Sequence, residues 1–230
     1  MKPPIAKAAL AVLAVLTMLG APTITASTAA PAPSGGSRGF RLLAPTTTFA
    51  GRSLAELLIL GYEAKVTASK SAIDTSICAE RPQFGDTANA KAIAKMLFTL
   101  PAVLGKTMTC TMPASSTLMI DHIGVICNDS RDHQASVSCI EERFKPLRDY
   151  RVTIDGIDLG VGRFKLITEK FVVDLKRDSP FGLQAGKWRL RAGGWPLLVT
   201  HLSRGEHTIV TTYRLGKNRQ STTVILTVTG

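Results

Sequence analysis

The sequence predicts a mainly β fold: an antiparallel β-sandwich, immunoglobulin-like or jelly-roll-like, with one or two short helices and two disulfides. Three observations point there. Short segments of alternating apolar and polar residues recur through the second half of the chain, separated by Gly, Asn and Asp turn signals. All four cysteines, Cys78, Cys110, Cys127 and Cys139, follow an N-terminal stretch built like an export leader. Only 6% of the residues are aromatic, so covalent staples would compensate for a core poor in rings.

The leader is expected over residues 1–30. Lys2 and Lys7 precede an apolar run from Ala8 to Leu19, which breaks at Gly20 and Pro22. Small residues then follow, Ala26-Ser-Thr-Ala-Ala30, so cleavage is expected near Ala29 to Ala32. A secreted or extracytoplasmic product follows from that. The apolar run is short for a bilayer, and no later segment approaches ~20 uninterrupted apolar residues. No transmembrane segment is expected in the mature chain. An oxidising compartment favours disulfides over zinc thiolates, and no Cys-x-x-Cys spacing occurs. Four cysteines allow three pairings.

Residues 31–50 read as a flexible linker, with Pro, Gly and Ser dense from Ala30 to Gly39 and a weakly extended stretch from Leu42 to Phe49. Residues 51–230 are expected to form a single stapled domain. Ser53 and Glu56 make a capping box ahead of Leu54, Leu57, Leu58 and Tyr62 at helical spacing, which predicts a helix over 54–66. Asp86 to Lys95 is ambiguous, and Met96 to Leu100 suits a buried strand. Lys106 to Met112 alternates around Thr. Leu118 to Cys127 is apolar on both faces, as in a central strand. Ser138 can cap a short helix carrying Ile140 and Phe144, stopped by Pro146.

Tyr150, Val152 and Ile154 alternate in a strand that ends at the Asp155-Gly156 turn. Phe171 to Leu175 and the region of Trp188 and Leu190 repeat the pattern. Two closing strands run from Glu206 to Leu215 and from Ser221 to Thr229, with Gly205, Gly216 and Asn218 at the turns.

The net charge is +11, of which Lys2 and Lys7 supply two, so the chain beyond the leader carries about +9. That favours anionic surfaces such as an acidic cell-envelope polymer. The best binding candidate is Lys187, Arg189 and Arg191 with Trp195, because strand alternation would send the three cations to one face. Nucleic acid fits poorly, since the stripe lacks exposed stacking aromatics. A weaker candidate is a metal site of His201, Glu206 and His207 across a Ser203-Arg-Gly-Glu206 hairpin. The plainer reading of His207 is a structural ring holding a turn carbonyl. Asp155 and Asp158 could suggest paired carboxylates, but turn hydrogen bonding explains them better. No catalytic constellation, Gly-x-Ser-x-Gly elbow or phosphate loop is present, and no cofactor is implied.

Several segments in fixed order resemble a family of uncharacterised exported bacterial proteins with no established activity. They are Ala50-Gly-Arg-Ser-Leu-Ala-Glu56, Asp74-Thr-Ser-Ile-Cys78, Met108-Thr-Cys-Thr-Met-Pro-Ala114 and the stretch Gly194-Trp-Pro-Leu-Leu-Val-Thr-His-Leu-Ser-Arg-Gly-Glu-His-Thr-Ile209. The resemblance implies the pairings Cys78–Cys110 and Cys127–Cys139. It supplies no catalytic residues. The expectation is a non-catalytic binding or structural module at the bacterial cell envelope, meeting an anionic polymer or a partner protein. A secreted, metal-assisted hydrolase is the alternative.

Overall fold

The computed structural model describes residues 39–67, 96–100, 105–128, 133–179 and 181–230, with the backbone alone at 133 and 134. The described chain is mainly β. In chain order it holds β1 (Arg41–Leu42), α1 (Leu54–Thr67), β2 (Leu97–Thr99), β3 (Thr107–Pro113), β4 (Thr117–Ile120) and β5 (Gly124–Asn128). Next come α2 (His133–Phe144), β6 (Leu147–Ile154), β7 (Ile157–Asp158), a 3₁₀ turn (Val161–Phe164) and β8 (Leu166–Ile167). The remaining strands are β9 (Phe171–Leu175), β10 (Gly186–Gly194), β11 (Leu197–Thr200), β12 (Gly205–Leu215) and β13 (Asn218–Thr229).

The capping box forms as the sequence predicts. The Ser53 amide donates to Glu56 Oε2 at 2.8 Å, and the Glu56 amide donates to Ser53 Oγ at 3.3 Å. The helix then buries Leu54, Leu57, Leu58, Tyr62 and Val66.

Among the described residues, the strands form three sheets. The first has the order β1-β11-β4-β2 and the third β3-β13-β12-β6-β7. The second runs β5-β10-β8, with β9 also paired to β10. The sheets are not wholly antiparallel as expected: β2 runs parallel to β4, and β3 parallel to β13. Both parallel partners are separated by long stretches of chain, so no tight hairpin dictates their direction.

A second correction concerns Leu118 to Cys127, expected as one strand. It is cut into β4 and β5, which belong to different sheets. The opposing strand is cut at the same level into β10 and β11. Gly194 pairs with Gly124, and Leu197 with Ile120. Asp121, His122 and Ile123 therefore stand opposite only Trp195 and Pro196. That is a bulge of three residues against two, and it turns the paired strands out of one sheet into the next. Pro196 has no amide hydrogen for the ladder, which suits a break.

The first and third sheets share one buried cluster, including Phe98, Leu118, Ile120, Val199, Ile154, Ile209 and Leu226. The second sheet is covered on both faces. Leu190 and Ala192 meet Leu58, Tyr62 and Val66 of α1. On the opposite face a Cβ at Gly193 would lie 2.4 Å from Ile140 Cγ2, so α2 can approach only because that residue is glycine. α2 begins at His133, earlier than the expected cap at Ser138, and one side carries Ile140 and Phe144 into the core.

Cys127 on β5 is bridged to Cys139 on α2, with Cα atoms 6.2 Å apart. Cys110 is buried on β3 and is not a free thiol. Cys78 lies outside the described residues, as do the expected leader and the ambiguous segment 86–95. Part of the expected linker joins the fold. Arg41 and Leu42 pair with Thr200 and Val199, and the Ser203 amide donates to the Gly39 carbonyl at 2.7 Å. Phe40, Leu42, Leu43 and Phe49 pack against the core, which explains why this stretch is ordered by the sheet.

Candidate functional site

The end of α2, the start of β6 and Lys165 enclose a cleft of about 380 Å³. Its wall is aromatic. Trp195 packs on Phe144 with ring centroids 4.5 Å apart and on Tyr150 at 5.2 Å. Its rim is charged: Glu141, Lys145, Arg148, Asp149 and Lys165. Most of these charges are already engaged. Lys145 pairs with Glu142, Asp149 with Arg214 at 2.6 Å, and Arg148 donates to the carbonyls of Lys145 and Leu147. Among the described residues, the Glu141 and Lys165 side chains form no ion pair. Lys165 Nζ lies 5.5 Å from the centre of the Phe144 ring. The cleft thus offers an apolar wall, a cationic excess and two charges free to meet a ligand.

The expected cationic stripe does not form. Lys187 and Arg189 are exposed, but Arg191 is 3% exposed and donates to the Thr168 carbonyl at 2.6 Å. Trp195 is buried at 8% exposure and lines the cleft. β10 runs between two helices from Leu190 onward, so strand alternation stops separating a wet face from a dry one.

Nor does the expected metal trio. β11 and β12 lie in different sheets, so no hairpin brings His201 across from His207. His201 is exposed beside Thr200, Glu206 is exposed, and His207 is buried. Among the described residues, no three His, Cys, Asp or Glu side chains gather to hold a metal ion.

His207 has a different set of partners. Its Nδ1 lies 2.7 Å from Asp155 Oδ2, while Asp155 Oδ1 accepts the Thr208 amide at 2.8 Å. Its Nε2 lies 2.8 Å from the Ser203 carbonyl and 3.2 Å from Ser203 Oγ. Serine, histidine and aspartate stand here in the order of a hydrolytic relay. Yet the nitrogen such a relay reserves for the hydroxyl is held more closely by the serine's own carbonyl. The arrangement is a clasp that ties the loop before β12 to the Asp155-Gly156 turn, as a structural histidine would. Both turn residues have left-handed φ, 51° and 79°. Asp158 serves its own turn, accepting the Gly160 amide at 2.8 Å and Arg151 Nε at 2.7 Å.

Sequence reasoning missed a polar cluster at the bulge. Lys65 reaches from α1 to Asp121 at 2.9 Å, and His122 Nδ1 lies 2.6 Å from Thr211 Oγ1. Burial pushes the His122 pKa down to about 4; the Asp121 carboxylate opposes this, and Lys65 adds to it. Burial, reinforced by the Asp121 charge, raises the Tyr62 and Tyr150 hydroxyls well above the usual phenol range. The adjacent Asp121-His122 pair was the signal available in the sequence. A regular strand would point the two residues apart, and the bulge removes that constraint.

No protein-family model and no curated protein matches the chain. Several solved structures do so weakly. One is PbICP-C, solved in complex with falcipain-2, at 15% identity and a TM-score of 0.24, covering 58% of this chain and 99% of that one. Another is the cysteine protease inhibitor EhICP2 from Entamoeba histolytica, at 9% identity and 0.22, covering 57% and 94%. A third is Amebosin, at 17% identity and 0.21, covering 58% and 97%. At TM-scores this low the likeness carries no argument about fold or function.

Proposed function

We propose that this is an exported, non-catalytic binding module of the bacterial cell envelope, and that it takes an acidic polymer in the cleft beside Trp195. The observation that carries the proposal is the aromatic wall of Phe144, Tyr150 and Trp195 under a rim where Lys165, among the described residues, makes no ion pair. Export rests on the leader-like N-terminus, and the Cys127–Cys139 bridge is compatible with it. The same reading takes the first and third sheets, which share one core, as the two layers of a sandwich. A partner protein is the other occupant the rim could accept.

The test is binding of the purified protein to immobilised polygalacturonate at rising salt. Replacing Arg148 and Lys165 together by Ser should weaken retention about tenfold and flatten its salt dependence. Retention that is unchanged and insensitive to salt would overturn the proposal. The hydrolase reading keeps one supporting observation, the order Ser203, His207 and Asp155. Labelling of Ser203 by a fluorophosphonate probe would revive it.

A further inference from the structure

Among the described residues, three buried polar atoms meet no protein partner: Asp121 Oδ1, His122 Nε2 and the Tyr150 hydroxyl. They belong to one neighbourhood. The Asp121 charge acts on both His122 and Tyr150, and His122 is tied to Thr211 on β12. β6, which carries Tyr150, pairs with β12 beside it, with Val152 opposite Thr211. Tyr150 packs against the same buried cluster that holds Val152. Tyr150 is partly exposed as a residue although its hydroxyl is buried. The residue also lines the cleft, so one part of its side chain meets solvent while the hydroxyl is buried.

Three such atoms left dry would each carry the full cost of desolvation. Their hydrogen-bonding capacities fit a single small molecule. Tyr150 donates and the Asp121 carboxylate accepts. His122 Nε2 accepts if Nδ1 carries the ring proton, and donates if it does not. A molecule with two hydrogens and two lone pairs satisfies all three in either case.

We propose that Asp121, His122 and Tyr150 share one bound water, and that this internal hydration site fixes the inner end of the tyrosine that walls the cleft. Three hydrogen bonds are the usual number for a buried water. The site is independent of what the cleft binds.

Tyr150→Phe in the purified protein tests the proposal, because two explanations predict opposite signs. If the hydroxyl is held through water, the variant loses that bond and its unfolding constant rises about tenfold. If the hydroxyl has no partner, its removal leaves stability equal or improved, and the proposal fails. Relaxation dispersion of water ¹⁷O gives a second reading. The wild type should show one more long-lived internal water than Tyr150→Phe, and equal amplitudes would overturn the assignment. A high-resolution crystal structure in which the three atoms contact one another directly would also overturn it.

Discussion

His122 and His207 both stand near an aspartate on the inner side of the third sheet, yet their surroundings differ. His207 has both ring nitrogens answered at 2.7 and 2.8 Å, and Asp155 divides its oxygens between the ring and a backbone amide. His122 has one nitrogen answered, by Thr211, and the other buried without a partner among the described residues. The first is a fastening between two loops at the end of the sheet. The second lies where a strand leaves one sheet for another, so the backbone that would have supplied partners has turned away. A histidine beside an aspartate acquires its role from the backbone around it, not from the pair itself.

The largest effect expected is that of acidification on His122. An unfolded His122 takes up its proton near pH 6.5, whereas the folded ring resists until about pH 4. Stability is full above that window and falls as pH drops through it, by roughly 3 kcal/mol in total. Urea midpoints across pH 4 to 7 would show the slope, and His122→Asn should flatten it. A flat wild-type profile would show that the ring is not sealed from water.

Asp121→Asn comes next, at about 2 kcal/mol, since it strips the partner from Lys65. Partial exposure of Lys65 keeps the loss below that of a wholly buried pair. Asp155→Asn at the clasp should cost less, about 1 kcal/mol, because its carboxylate is partly solvated. If the two urea-derived losses came out reversed, the clasp would be the tighter site. Ser203→Ala should be the mildest, within about 0.5 kcal/mol, because the carbonyl is the closer partner of Nε2. A loss several times larger would make the hydroxyl the principal partner of the ring.

These contrasts also mark what could be read from the chain. Local chemistry was legible: the Ser53–Glu56 box forms, and β12 and β13 alternate as expected. The inward face of His207 is legible too, since the residue is in phase with Ile209 and Tyr213 along β12. Asp155 could not be named as its partner, because the two meet only when β6 pairs with β12. Burial of Arg191 was hidden for a similar reason. Nothing near it in sequence announces that α2 will cover the second face of β10. The bulge was the least legible feature, because an apolar run reads alike whether it stays in one sheet or crosses to another. The cleft followed Trp195 into view only after Phe144 and Tyr150 were placed on either side of it.

The parallel pairing of β3 with β13 bears on how the chain assembles. Cys110 sits opposite Leu226, and β13 lies between β3 and β12 inside the sheet. A chain emerging from its N-terminus holds β3 for more than a hundred residues before its neighbour exists. Until then Met108 and Met112, buried in the finished sheet, have nothing to cover them on that side. Closing so long a loop is slow, and it leaves an open strand edge in the meantime. The alternating threonines of β3, Thr107, Thr109 and Thr111, keep its other face compatible with water while it waits.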